Sequence, residues 1–216
     1  MWIGLVGSEM CIRDRTYGFM NSNPVDAQYR EQAIEFQSRT ESLADITKRL
    51  ASIPLLCQPG SQWNYSVATD VLGRLVEVLS GMSLADFFQQ RIFAPLKMVD
   101  TGFSVPEQTQ HRFAALYAPK VGGDMSSVGG AATRVPQDQR GGLVLQEGST
   151  QSVYFEAPGP HSGGGGLVGT IGDYARFCQM LINEGELDGE RILAPSTLRY
   201  MLSLIHISEP TRPIHI

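Results

Sequence analysis

The chain has 216 residues, 42% of them hydrophobic and 18% charged, enough for one sizeable globular core. A formal net charge of −5 and the lack of any Lys/Arg run argue against a nucleic-acid-binding surface. No apolar run approaches the ~20 residues that span a bilayer, and Cys11, Cys57 and Cys178 have neither metal-ligand nor disulfide spacing.

The first fifteen residues, MWIGLVGSEMCIRDR, lack the basic start, sustained apolar region and small-residue cleavage site of a secretion signal. They are related to the far end through nucleic acid. A coding strand for Val6 to Arg15, read as its reverse complement, encodes Leu-Ser-Leu-Ile-His-Ile-Ser-Glu-Pro and the start of a Thr codon, which is Leu202 to Thr211. That is the pattern of a library adaptor read through at both ends of a fragment. Residues 1–15 and 202–216 are therefore expected to be adaptor-derived, with 16–201 as a partial domain cut at both ends. Cys11, His206 and His215 drop out as functional candidates.

From Asp26 to Gln37 the pattern is helical but weakly amphipathic. Ser42 opens a capping box with Asp45, so a short helix to Ala51 is expected, packed through Leu43, Ile46 and Leu50. Ile53, Leu55 and Leu56, flanked by Pro54 and Pro59, read as a buried connector. Tyr65 then stands directly before a long amphipathic helix. Val67, Val71, Leu72, Leu75, Val76 and Leu79 recur at three- and four-residue spacing and predict one buried stripe. Gly81 suits a left-handed C-terminal cap. A second helix follows from Ser83, with Asp86 in capping-box position; Leu84, Phe87, Phe88 and Ile92 predict its buried face, and Pro95 its end. So short a turn should pack the two helices together.

The place of Tyr65 has chemical meaning. A phenol titrates near pH ~10 and is a poor base at neutrality. The positive end of a helix dipole and a nearby ammonium would favour its phenolate, which can take a proton from a serine hydroxyl. On pattern alone the plainer reading is a half-buried Tyr beside Trp63, with its hydroxyl bonded to backbone.

The runs PGSQWNYS, VLGRLVEVLSGMSLADFFQQRIFAPLKM and DTGF change that balance. They closely resemble the serine hydrolases related to class C β-lactamases, which include penicillin-recognising D-alanyl-D-alanine carboxypeptidases and β-lactamase-like carboxylesterases. The likeness runs from about Thr16 to Met201. It implies an α+β, β-lactamase/transpeptidase-like fold, of which this chain would comprise mainly the helical domain and part of the sheet-associated region. It also implies acyl-enzyme chemistry on a small-molecule ester or amide, without metal or organic cofactor. Tyr65 matches the family's Tyr-x-Asn tyrosine, which works with the Ser and Lys of an upstream Ser-x-x-Lys. No serine here is followed three residues later by Lys, so the nucleophile and lysine are absent from the chain and it is expected to be inactive by itself. Val67 replaces the motif's Asn, which favours the esterase-like branch. A carboxypeptidase or β-lactamase, and a non-catalytic binding relative of the same fold, remain the alternatives. No Gly-x-Ser-x-Gly is present, which removes the α/β-hydrolase reading.

Beyond Phe103, residues 113–119 predict a strand, 121–142 a polar glycine-rich loop, and Leu143 to Gln146 and Ser152 to Phe155 two short strands. His111 reads as a surface residue. The run HSGGGGL from His161 lacks a P-loop ending. It could also be compared with the family's third active-site motif, but it leads into a helix and is read instead as allowing close backbone approach. That helix has Thr170 as N-cap and Asp173 at its third position. Tyr174, Phe177, Cys178 and Leu181 predict its buried stripe, and Gly185 its close. A further helix starts near Pro195.

Overall fold

A computed structural model describes residues 24–34, 40–58, 61, 66–119 and 143–202. The chain divides into two compact units, residues 1–85 with 102–168, and 86–101 with 169–216.

The first unit opens with helix α1 (Pro24–Glu31), which ends sooner than the sequence pattern suggests. Ala33 turns left-handed (φ 47°) and the Ile34 amide returns to the Tyr29 carbonyl at 2.9 Å, a Schellman-type stop. Residues 35–37 of the expected helix lie outside the described residues. Helix α2 (Leu43–Leu50) forms as its sequence dictates. Ser42 and Asp45 close the box in both directions, and Leu43, Ile46 and Leu50 are buried. The Ser42 hydroxyl and amide hold the Asp45 carboxyl below the usual carboxylate range. Arg49 bonds the Gln32 and Ala33 carbonyls, both at 3.2 Å, and also pairs with Glu41, so it ties the end of α1 to the start of α2. Val25, Tyr29, Leu50, Ile53 and Val67 form one core cluster. In the connector Ile53 is buried, but Leu55 is exposed.

Helix α3 (Ala68–Ser80) departs from the expected stripe. Its buried positions are Ala68, Asp70 and Gly73, whereas Leu72 is 40% and Leu79 74% exposed. The stripe holds at Val67, which is buried, and at Val71, which packs on the first core cluster, whereas small residues and one acid, rather than Leu72 and Leu79, take the remaining packed positions. Gly81 takes the left-handed cap (φ 69°) as expected. Helix α4 (Leu84–Phe88) follows, and Leu84 packs on Gly73. A Cβ at Gly73 would lie 2.9 Å from Leu84 Cδ2.

Residues Gln89–Phe93 continue α4 as a π-turn, with the Ala94 amide bonded to Gln89 O at 2.9 Å. The extra residue rotates the face by one position. Phe93 therefore becomes the buried residue, while Phe87, Phe88 and Ile92 are half-buried. After a 3-10 turn over Glu107–Arg112, in which His111 is exposed as expected, strand β1 (Leu116–Pro119) pairs antiparallel with β2 (Leu143–Glu147). The loop between them lies outside the described residues. The expected strand from Ser152 to Phe155 is instead a 3-10 turn over Val153–Phe155, because the Ser152 hydroxyl accepts from the Tyr154 amide and closes it.

The second unit is built on helix α5 (Ile171–Ile182), capped by Thr170. Its core contains Phe93, Leu96, Met98, Met180 and Leu187, with Phe177 and Leu181 packed against it. Tyr174, expected in the stripe, is 65% exposed, and Met180 takes the buried place. Glu184 (φ 54°) and Gly185 (φ 92°) both take positive φ after the helix, and the Gly185 amide bonds back to Met180 O at 2.9 Å, closing it as expected. Strands β3 (Glu186–Leu187) and β4 (Glu190–Arg191) form a hairpin whose turn residues Asp188 and Gly189 both have positive φ. Helix α6 (Pro195–Leu202) starts at its proline, as expected.

These packing differences have a measurable consequence. Ile46→Ala should destabilise the chain by about 2–5 kcal/mol in urea unfolding, and Leu79→Ala by no more than ~0.5 kcal/mol. Equal losses would mean that the α3 stripe is buried after all.

Candidate active site

Tyr65 lies outside the described residues, one peptide bond before Ser66. What the structure gives is the helix mouth that follows it. The Ser66 hydroxyl accepts from the Ala68 amide at 3.1 Å, a local turn that opens α3 where Val67 offers no side-chain cap. Val67 itself is 3% exposed and belongs to the first core cluster. Its side chain is committed to packing.

Asp70 sits at the third position of α3, buried. Its Oδ1 accepts from the Ser162 hydroxyl at 2.5 Å and from the Gly164 amide at 3.3 Å. Ser162 is thus split between two duties, since its Oγ also accepts from the Gly164 amide at 3.0 Å. Burial pushes the Asp70 carboxyl above the ordinary range, while the Ser162 hydroxyl and the Gly164 and Gly163 amides pull it down. The glycine run approaches α3 as closely as its composition permits. A Cβ on Gly163 would come 2.1 Å from the Thr69 carbonyl oxygen, whereas one on Gly165 would meet nothing within 4 Å. Close approach is therefore required at the start of the run, not along all of it.

The two residues before Gly163 are used structurally. The His161 ring packs on Phe103, centroids 4.9 Å apart, and Ser162 turns to Asp70. Downstream, Gly102 and Val168 exchange both backbone bonds, at 3.0 and 2.8 Å.

In the second unit Asp173 plays a similar part. Its amide caps on Thr170 at 3.2 Å, and its Oδ2 accepts from the Asp100 amide and the Thr101 hydroxyl, both at 2.8 Å. Cys57 and Cys178 are half-buried. Among the described residues, no group of three or more His, Cys, Asp or Glu is placed to hold a metal ion, and no helix is long and apolar enough to cross a membrane.

The sequence pattern did not single out Asp70, and it weighed Ser162 only as part of the HSGGGGL run. The available signal was an acid at the third position of a helix whose N-cap residue, Val67, has no capping side chain. Its partner lies 92 residues away and carries no local mark.

Compared with known proteins, residues 16–210 match the Beta-lactamase family model. The chain belongs to the beta-lactamase family. Protein Rv1367c of Mycobacterium tuberculosis is 33% identical over 186 residues, which is 86% of this chain and 40% of that protein. Esterase EstB of Burkholderia gladioli is 34% identical over 143 residues, 66% of this chain and 35% of EstB. The solved structure of EstCE1, a hydrolase with promiscuous acyltransferase activity, superposes with a TM-score of 0.62 at 24% identity, covering 89% of this chain and 48% of that one. This beta-lactamase family chain thus shares the β-lactamase/transpeptidase-like α+β fold and spans less than half the length of these relatives.

The raised Asp70 carboxyl sets a pH signature. A folded-state pKa above the unfolded one contributes stability in acid, below the ordinary carboxylate value of ~3.9, and loses it as pH rises through the folded value. Asp70→Asn keeps an acceptor oxygen and removes the charge. Its stability relative to wild type should therefore be higher at pH 7 than at pH 3 in paired thermal melts. An offset independent of pH would contradict this.

Proposed function

We propose that this chain is part of a serine hydrolase that works by acyl-enzyme chemistry on small-molecule esters, with Tyr65 as the proton-shuttling group. The observation that carries the reading is the family match over residues 16–210, with Tyr65 at the motif position before α3. The name of the relative Esterase EstB points to ester chemistry. The burial of Val67 supports the esterase branch. In place of an amide that would hold a substrate amide, the position carries an aliphatic side chain packed into the core.

In this mechanism a serine hydroxyl attacks the ester carbonyl while the Tyr65 phenolate, stabilised by a lysine ammonium and the helix mouth, takes the hydroxyl proton. Backbone amides hold the oxyanion. The proton passes from Tyr65 to the leaving alkoxide, and the carbonyl–oxygen bond to the alcohol breaks. Water then attacks the acyl-serine, returning its proton by the same route and releasing the acid. No serine of the 216 residues is followed at the third position by Lys, so this chain holds Tyr65 without its two partners. The same reading takes residues 1–15 and 202–216 as adaptor-derived and 16–201 as the hydrolase portion.

Incubated with p-nitrophenyl butyrate or nitrocefin, the 216-residue chain should show no turnover above a Tyr65→Phe control. The uninterrupted reading frame of the source nucleic acid should place Ser-x-x-Lys ahead of Tyr65. The protein expressed from it should hydrolyse p-nitrophenyl butyrate, with kcat lowered about 10²–10⁴-fold by Tyr65→Phe. Tyr65-dependent turnover by the chain alone, or a frame without the serine–lysine pair, would contradict the proposal. Covalent labelling by a fluorescent penicillin without ester turnover would move the assignment to a carboxypeptidase.

A further inference from the structure

We infer that the Asp188–Gly189 turn is a site of spontaneous covalent modification that Arg176 and Lys97 hold in check. The Gly189 amide closes on the Asp188 carboxyl to give a succinimide, which opens to isoaspartate. This chemistry stands apart from the acyl-transfer reading and uses only residues of the second unit.

The sequence supplies the reacting pair. Among the 216 residues this is the one Asp-Gly step, and no Asn is followed by Gly. Glycine matters at the second position because, without a side chain, it leaves its nitrogen open to attack. A Cβ at Gly189 would meet nothing within 4 Å, so no neighbour crowds the approach. The turn supplies the access. Asp188 (φ 52°) and Gly189 (φ 85°) are the two loop residues between β3 and β4, and the Gly189 amide has no acceptor among the described residues. Below them the hairpin is fixed. The Ile192 and Leu193 amides both bond Gly185 O, at 2.9 and 3.2 Å, and Leu187 is buried in the core. Rearrangement is thus confined to the tip, where the Asp188 side chain is 41% exposed and open to water.

Ring closure forms a bond from the Gly189 nitrogen to the Asp188 γ-carbon. One carboxyl C–O bond breaks, and the hydroxyl leaves with the amide proton as water. A second water then opens the imide at either carbonyl. Opening at the α-carbonyl sends the chain through the side-chain carboxyl, one methylene longer, with mass unchanged and nothing oxidised or reduced.

The departing oxygen must carry a proton, and there the cations act. Arg176 Nη2 lies 2.6 Å and Lys97 Nζ 3.2 Å from the same Oδ2. The Arg176 guanidinium, then the Lys97 ammonium, favours the carboxylate, which is a poor electrophile. Arg176 is itself anchored, its Nε donating to Leu96 O at 2.5 Å. The carboxyl is therefore kept ionised and engaged by α5 instead of free to close on Gly189.

The test ages the 216-residue chain at neutral pH and follows the tryptic peptide that contains Asp188. Isomerisation gives a second peak of equal mass that an isoaspartyl methyltransferase methylates, with electron-transfer fragmentation placing it at Asp188; reaction at Asn183 would change the mass. Wild type should accumulate the isomer slowly, and Asp188→Glu, whose imide ring would be one atom larger, should not form it. The Arg176→Gln, Lys97→Gln double variant should form it about 3–10-fold faster, the scale of two exposed ion pairs. Wild type in molar sodium chloride, which screens such pairs, should move the same way. A peptide that stays single in the double variant would overturn the inference, as would equal rates in wild type, double variant and high salt. Should circular dichroism show the double variant unfolded, the salt arm decides alone.

Discussion

One buried carboxylate joins distant parts of the first unit. Asp70 lies in the opening turn of α3, and its partners Ser162 and Gly164 begin a glycine run more than ninety residues later in the chain. Burial works against its charge and the donated hydrogen bonds work for it. The result is a fixed register between a helix mouth and a loop that has almost no side chains with which to hold itself. The backbone contact of Gly163 on Thr69 follows from that seating, as does the commitment of α3's packed face to Ala68, Asp70 and Gly73 rather than to its leucines.

The same physical device recurs with different reach. Asp45, Asp70 and Asp173 each occupy the third position of a helix, where a carboxylate suits the positive end of the dipole. Asp45 is exposed and spends its oxygen on its own cap through Ser42. Asp173 is buried; its amide is capped by Thr170, and its carboxylate holds Asp100 and Thr101. Asp70, with no side-chain cap at Val67, gives its carboxylate chiefly to long-range partners, Ser162 and Gly164. A short-range cap thus becomes a tertiary tether when the helix end is buried. In the second unit the ion pairs of Asp188 with Arg176 and Lys97 add a salt-sensitive clasp that joins the hairpin turn to α5 and to the segment around Lys97. The Arg176 guanidinium, followed by the Lys97 ammonium, holds the Asp188 carboxyl below its usual range.

How much of this was readable from the residues depended on whether the deciding interaction was local. The α2 box, the Gly81 cap, the Thr170 cap and the proline start of α6 all rest on neighbours within a turn, and the structure shows each of them. The α3 face was legible at Val67 and Val71 but not beyond them, because periodicity weighs hydrophobic residues and is blind to a buried acid and a glycine that permits close approach. The π-turn at Gln89–Phe93 displaced the predicted face by one residue, which no propensity marks. Ser152 to Phe155 has the composition of a strand, but a single serine hydroxyl closes it into a turn. The Asp188-Gly189 turn carries the usual hairpin signal, but strands of only two residues each leave no alternating pattern to mark them. For the site, the sequence offers Tyr65 through family likeness alone, while the tether between Asp70 and Ser162 needed three dimensions.

The tether can be measured directly by amide hydrogen exchange at Gly164 in the wild-type chain and in Asp70→Ala, with the Gly185 amide, bonded to Met180 in the second unit, as internal reference. The account predicts a protected Gly164 amide whose exchange quickens at least ~10-fold in the variant, corresponding to the ~1.4 kcal/mol of a lost hydrogen bond to a charged group, while Gly185 is unchanged. A Gly164 amide that exchanges at the same rate in both proteins would contradict it.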